Sequence, residues 1–190
     1  MGLAGVIKSL FKKPEANLTI IYTPGKGIEF DNQTINWDMD RLAIRTMLNN
    51  SHEESDILYE LSEFFDGDTS RDIEVRRDIY SNYKCCNISL FLNYSTKNIL
   101  QEIEVHEGAV IHIHNITVIF DVEASKLAQR FKTQGHQFKE TSEEDYFFPD
   151  LRMTFASKRS MGGDGAEVGY FYCAKDVSHI TEEIIEVNNR

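Results

Sequence analysis

Apolar positions along this chain recur with two different periods. Leu3, Val6, Ile7, Leu10 and Phe11 fall at helical spacing, with Lys8, Lys12 and Lys13 toward the end and Pro14 after it. That spacing predicts an amphipathic helix within residues 1–13, stopped by the proline. A basic amphipathic helix can lie on a membrane surface, but so short an apolar stripe binds lipid weakly, and docking on the rest of the chain fits it better. From Leu18 the period changes to two. Leu18–Tyr22 and Ile28–Phe30 read as a hairpin about the turn Pro24-Gly25-Lys26-Gly27.

After Trp37, Asp38 or Asp40 caps a helix whose broad apolar side holds Leu42, Ile44, Arg45, Met47 and Leu48. Ile57, Leu58, Leu61, Phe64 and Phe65 again have helical spacing, which predicts a second helix or helical turn ended by Asp66-Gly67-Asp68. Three strands are expected near residues 79–84, 87–93 and 99–106. A long strand follows over 110–118, then a helix from Asp121 to Gln134 closed by Gly135. Further strands are expected near 144–148, 151–157 and 167–173, with a glycine-rich turn at Gly162-Gly163-Asp164-Gly165, and a short C-terminal tail over 181–190.

Set side by side, residues 28–108 and 109–176 each read as a helix followed by a three-stranded meander. The expected fold is therefore α+β, a single domain over residues 14–180. Its two similar units pack together with their helices on one face of the sheet. Open sheet edges leave room for a homodimer. Neither half alternates strands and helices behind a glycine-rich first turn, so a dinucleotide-binding crossover is not expected.

Composition narrows the function. The 190 residues carry 31 acids against 20 Lys and Arg, a net charge of -11, divided almost equally between the two halves of the chain. Affinity for nucleic acid is dominated by phosphate neutralisation, so nucleic acid is a poor partner and a basic protein a good one. Three cysteines, two of them adjacent, form neither a disulfide framework nor a CxxC metal pair. With no long apolar run and no signal peptide, a cytoplasmic protein without stable membrane insertion is expected.

Candidate chemistry centres on His112 and His114. At i,i+2 on a strand they would share one face, and His106 across the turn would offer a third nitrogen for zinc or for acid–base hydrolysis of a nuclease kind. The competing reading places both on the solvated face while Ile111 and Ile113 point inward. The spacing alone does not assign a catalytic residue, metal or cofactor. The loop Met161–Gly165 lacks the Gly-Lys-Ser/Thr of a phosphate cradle and precedes a strand. The acids Glu53, Glu54, Asp56, Asp66, Asp68, Glu143, Glu144 and Asp145, with aromatics beside them, are the expected contact points for a cationic partner.

The whole plan resembles small bacterial immunity proteins, the antidotes to polymorphic or contact-dependent inhibition toxins. What carries the resemblance is the acidic α+β domain, the hairpin Tyr22-Thr23-Pro24-Gly25-Lys26-Gly27, the helix-plus-meander units and the lack of a catalytic constellation. It implies a non-enzymatic protein that neutralises a basic toxin, such as a nuclease, by steric occlusion, and it assigns no individual residue role. The rivals are a hydrolase or nuclease using His112 and His114, and an adaptor subunit of a larger assembly docking through residues 1–13.

Overall fold

The computed structural model describes residues 17–180, residue 65 excepted. The helix expected within residues 1–13 and the tail from Thr181 lie outside the described residues.

The described residues build two β-sheets. Strands β1 (Leu18–Thr23), β2 (Gly27–Phe30), β3 (Gln33–Asn36), β9 (Ala109–Ile113) and β10 (Ile116–Ile119) form a five-stranded sheet in the order β10-β9-β1-β2-β3, antiparallel except where β1 runs parallel to β9. The second sheet is nine-stranded and antiparallel. It contains β4 (Glu53–Glu54), β5 (Ile57–Tyr59), β6 (Ile73–Ser81), β7 (Ser89–Tyr94), β8 (Leu100–Val105), β11 (Lys139–Ser142), β12 (Asp145–Phe148), β13 (Met153–Ser157) and β14 (Val168–Ala174). Its order is β11-β12-β13-β14-β8-β7-β6-β4, with β5 also on β6.

The expectation of helices covering one face of a sheet is overturned. The fold is β-rich, and the two described helices with assigned bounds, α1 (Arg41–Leu48) and α2 (Ala124–Thr133), are eight and ten residues long. What shares a core with the inner side of the large sheet is the small sheet: Ile20, Tyr22, Ile35, Ile111, Ile113 and Val118 are buried in one cluster with Leu90, Leu92, Ile103, Val105, Phe155 and Phe171. Strict alternation of buried and exposed positions along β1 shows that this sheet buries one face only.

One plan of elements recurs through both layers. Ile21 of β1 lies opposite Glu29 on one side and His112, 83 residues later, on the other. The hairpin β2–β3 leads into α1 as the hairpin β9–β10 leads into α2, and each helix start bridges the residue just before the last strand of its meander, Asp40 to Ile99 and Glu123 to Glu167. The meanders β6–β7–β8 and β12–β13–β14 meet at β8–β14, where Val105 faces Phe171, Glu104 faces Tyr172 and Ile103 faces Cys173. The molecule thus has an internal pseudo-two-fold, with β1 the unduplicated strand between the copies.

Three local expectations are corrected. Residues 110–118 are two strands, because His114 takes a left-handed conformation (φ 52°) and turns the chain. Gln33–Asn36, with only Ile35 buried, is a strand because it pairs along β2. Residues 57–64 are β5 and a short 3-10 turn (Ser62–Phe64), since β5 is held in register on β6 with Ile57 opposite Val75 and Tyr59 opposite Ile73.

Candidate functional site

The two copies differ most sharply around α1. The buried stripe of α2 is Ala124, Leu127, Ala128 and Phe131. At the matching positions α1 carries Arg41, Ile44, Arg45 and Leu48, while Leu42, expected on the apolar side, is 72% exposed. Two arginines beside a core need buried acceptors. They find Asp78 of β6, whose side chain has no solvent exposure. Arg41 donates to Asp78 Oδ1 from Nε (3.0 Å) and Nη2 (2.7 Å). Arg45 donates from Nε to Oδ2 (2.8 Å) and from Nη2 to Oδ1 (2.6 Å).

The same guanidinium groups reach outward. Arg41 makes a fork on Asp56, both bonds 2.8 Å, and also donates to the Arg77 carbonyl at 3.0 Å. Arg45 donates to Glu54 Oε2 at 2.6 Å. The ring of Tyr94 lies 5.2 Å from the Arg41 guanidinium carbon. Burial pushes the Asp78 carboxyl up, and the hydrogen bonds from Arg45 and Arg41 outweigh it, leaving the carboxyl below the usual carboxylate range. The Arg41 bonds likewise hold Asp56 down. Three carboxylates against two guanidiniums leave this network without spare positive charge for an anionic ligand.

Beyond the network the chain departs from its second copy. β4 corresponds to β11: Glu54 faces Asp78 as Glu140 faces Tyr146. From Asp56 the first copy continues into an arm, out along β5, through two 3-10 turns, and back along the start of β6. Ile57, Leu58, Tyr59, Phe64 and Ile73 are exposed on it, Leu58 at 55% and Phe64 at 80%. Residues 53–74 hold nine acids and one arginine. Large apolar side chains grouped on an acidic surface mark a contact site for a macromolecule better than either feature alone.

The sequence-predicted acids are not brought together. Glu53, Glu54, Asp56, Asp66 and Asp68 belong to β4 and the arm, at one edge of the large sheet; Glu143, Glu144 and Asp145 lie at the β11–β12 turn, at the other. Several have internal work. Glu54 and Asp56 hold arginines, Asp68 accepts from Ser70 N and Oγ at 3.0 and 2.6 Å, and Glu144 accepts from Arg159 at 3.1 Å. Burial raises the Asp145 carboxyl.

The histidines are also separated. His112 bonds through Nδ1 to Thr117 Oγ1 at 3.1 Å on the small sheet. His114, in the β9–β10 turn, stacks on His136 (6.0 Å between centroids), which bonds Asp150 at 2.6 Å. His106 lies beside the large sheet, between Phe91 and Tyr170, with Nε2 3.5 Å from Glu104. Among the described residues no three His, Cys, Asp or Glu side chains are grouped to hold a metal ion. Ile111 and Ile113 are fully buried. Cys173 is a buried free thiol whose pKa burial raises well above its usual value, the reverse of an activated nucleophile.

Sequence reasoning missed the arginine–aspartate network. Its signal was two arginines four residues apart on the same stripe as Ile44 and Leu48.

No protein-family model matches the chain, and neither a curated protein nor a solved structure is similar to it. Among the described residues no helix is long and apolar enough to cross a membrane.

Proposed function

We propose that this chain is a non-enzymatic binding protein that captures a basic protein partner on the arm spanning residues 53–74. The observation that carries the reading is the arm itself. It is an extension of one of two similarly planned units, exposes the large apolar side chains of Ile57, Leu58, Tyr59, Phe64 and Ile73, and has a charge balance of nine acids to one arginine. Acidic charge steers a basic partner to the surface, and the apolar side chains supply the short-range contact once water is excluded. The network around Asp78 fixes the root of the arm through Asp56 and Glu54, so the surface is presented without the cost of ordering it on binding. Taken with the resemblance to bacterial immunity proteins, the partner is a cognate toxin, neutralised by covering it.

The test is affinity capture from the native cell with the wild-type chain and with the arm variant Glu53→Lys/Glu60→Lys/Asp66→Lys. The wild type should retain a basic protein that is released as salt rises and is not retained by the variant. Equal retention by both would reject the arm as the contact surface.

A further inference from the structure

The arm carries a second property besides charge and apolar surface: it is an open sheet edge. β4 and β5 share one register against β6, from Glu53 opposite Ile79 to Tyr59 opposite Ile73. Ser55 donates its backbone N–H to the Arg77 carbonyl at 2.9 Å. Hydrogen bonding alternates along an antiparallel strand, so Ser55, Ile57 and Tyr59 turn their backbone groups toward β6, and Glu54, Asp56 and Leu58 turn theirs away from it. Among the described residues no further strand pairs on that side. All of these residues except the half-buried Ser55 are exposed.

An exposed edge with Ile57, Leu58 and Tyr59 in a row is a template for another strand. A second copy of this chain is disfavoured as the occupant. Antiparallel self-pairing centred on Asp56, Ile57 or Leu58 would set Asp56 against Asp56, Glu54 against Glu60 or Asp56 against Glu60 respectively, and like charges opposite one another destabilise a strand pair. A strand bearing lysine or arginine meets the reverse situation. We infer that the partner of this protein adds an extended, basic segment to the free edge of residues 54–60, continuing the large sheet. Main-chain hydrogen bonds to Glu54, Asp56 and Leu58 hold the segment, while the acids select it by charge. This rests on the binding reading above and adds to it the form that the partner takes.

The test uses the full chain and a synthetic, fluorescently labelled peptide of alternating lysine and valine, ten residues long, in fluorescence anisotropy. Its control is the same peptide N-methylated at its central residues, which keeps charge and side chains and removes the strand-forming donors. On the protein side, Leu58→Pro deletes an N–H that points away from β6, a position where an edge strand tolerates proline, and Leu58→Ala controls for the lost side chain. The parent peptide should bind, the N-methylated peptide about tenfold more weakly, and Leu58→Pro should weaken binding severalfold relative to Leu58→Ala. Equal binding of the two peptides would overturn strand addition and leave capture by charge and side chains standing. No binding of the parent peptide, or a concentration-dependent dimer of the chain abolished by Leu58→Pro, would also overturn it. If charge reversal in the arm leaves capture of the native partner unchanged, the binding reading itself fails.

Discussion

Asp78 and Tyr146 occupy the same place in the two copies of the fold. Each is on the first strand of its meander, opposite Leu92 and Phe155 respectively, but one is a carboxylate under two guanidiniums and the other an aromatic ring packed on Phe138 and Phe155. The difference allows an internal control. Asp78→Asn leaves two arginines beside the core without their shared anion and should cost about 3–5 kcal/mol. The triple change Arg41→Ala/Arg45→Ala/Asp78→Tyr copies the second copy's solution and should recover about half of that loss or more, since an ion network replaced as a whole by packed apolar groups is often neutral. Urea denaturation midpoints of the three proteins check this. A triple variant less stable than Asp78→Asn would show that the ionic version does more than fill space.

The network also sets an acid limit. Asp78 and Asp56 have folded-state pKa values below the ordinary 3.8. A depressed carboxyl contributes stability that is fully present above its unfolded value and disappears as pH falls through the folded one. Stability measured by urea titration should therefore carry the network's full contribution from neutral pH down to about pH 5 and lose it below about pH 4. The triple variant should have a shallower acid limb than the wild type.

Much of the large sheet was legible in the sequence because β7 and β8 carry a period-two set, Leu90, Leu92, Ile103 and Val105, while β13 and the end of β14 are buried on both faces and stand out as largely apolar runs. The small sheet was not. Its β3 buries Ile35 alone among polar neighbours, and β9 and β10 are divided by only two residues, His114 and Asn115, where the buried set slips from Ile111 and Ile113 to Ile116 and Val118 and the left-handed position falls to a histidine. The arm misled for a different reason. Ile57, Leu61 and Phe64 have helical spacing, but pairing with β6 and the Arg41–Asp56 fork decide its conformation, and both are long-range. All eight acids expected to meet a partner stand in clusters along the sequence, yet sequence could not separate those holding internal arginines from those facing outward.

Gly108 joins the two copies, directly before β9. Its φ is +70°, its carbonyl accepts from Leu18 at 2.9 Å, and a Cβ placed there would run into the carbonyl of Asn87. Gly108→Ala adds both a left-handed strain and a clash with backbone, so it should cost about 2 kcal/mol or more. Gly67→Ala has a φ of +84° but nothing near its Cβ, and should cost about 1 kcal/mol. Comparing the two thermal midpoints separates the clash from the strain.

Asp145 should behave in the opposite sense to Asp78. Burial raises its carboxyl, one of its oxygens has no hydrogen-bond partner, and the bond to Thr141 only partly offsets the cost of ionising it. A folded-state pKa above the unfolded 3.8 means that the native state holds this proton more tightly, so stability falls as pH rises from about 4 through the folded value, and the penalty persists at pH 7. Asp145→Asn removes the titration and keeps the shape. It should therefore raise stability at pH 7 and change it little at pH 3, where the aspartate is already neutral. Urea midpoints at the two pH values decide it. Equal effects at both would mean that the side chain acts through its hydrogen bonds and not its charge. A loss at pH 7 would mean that the carboxylate is wanted in its ionised form, as it would be if this edge of the sheet, and not the arm, met a cationic partner.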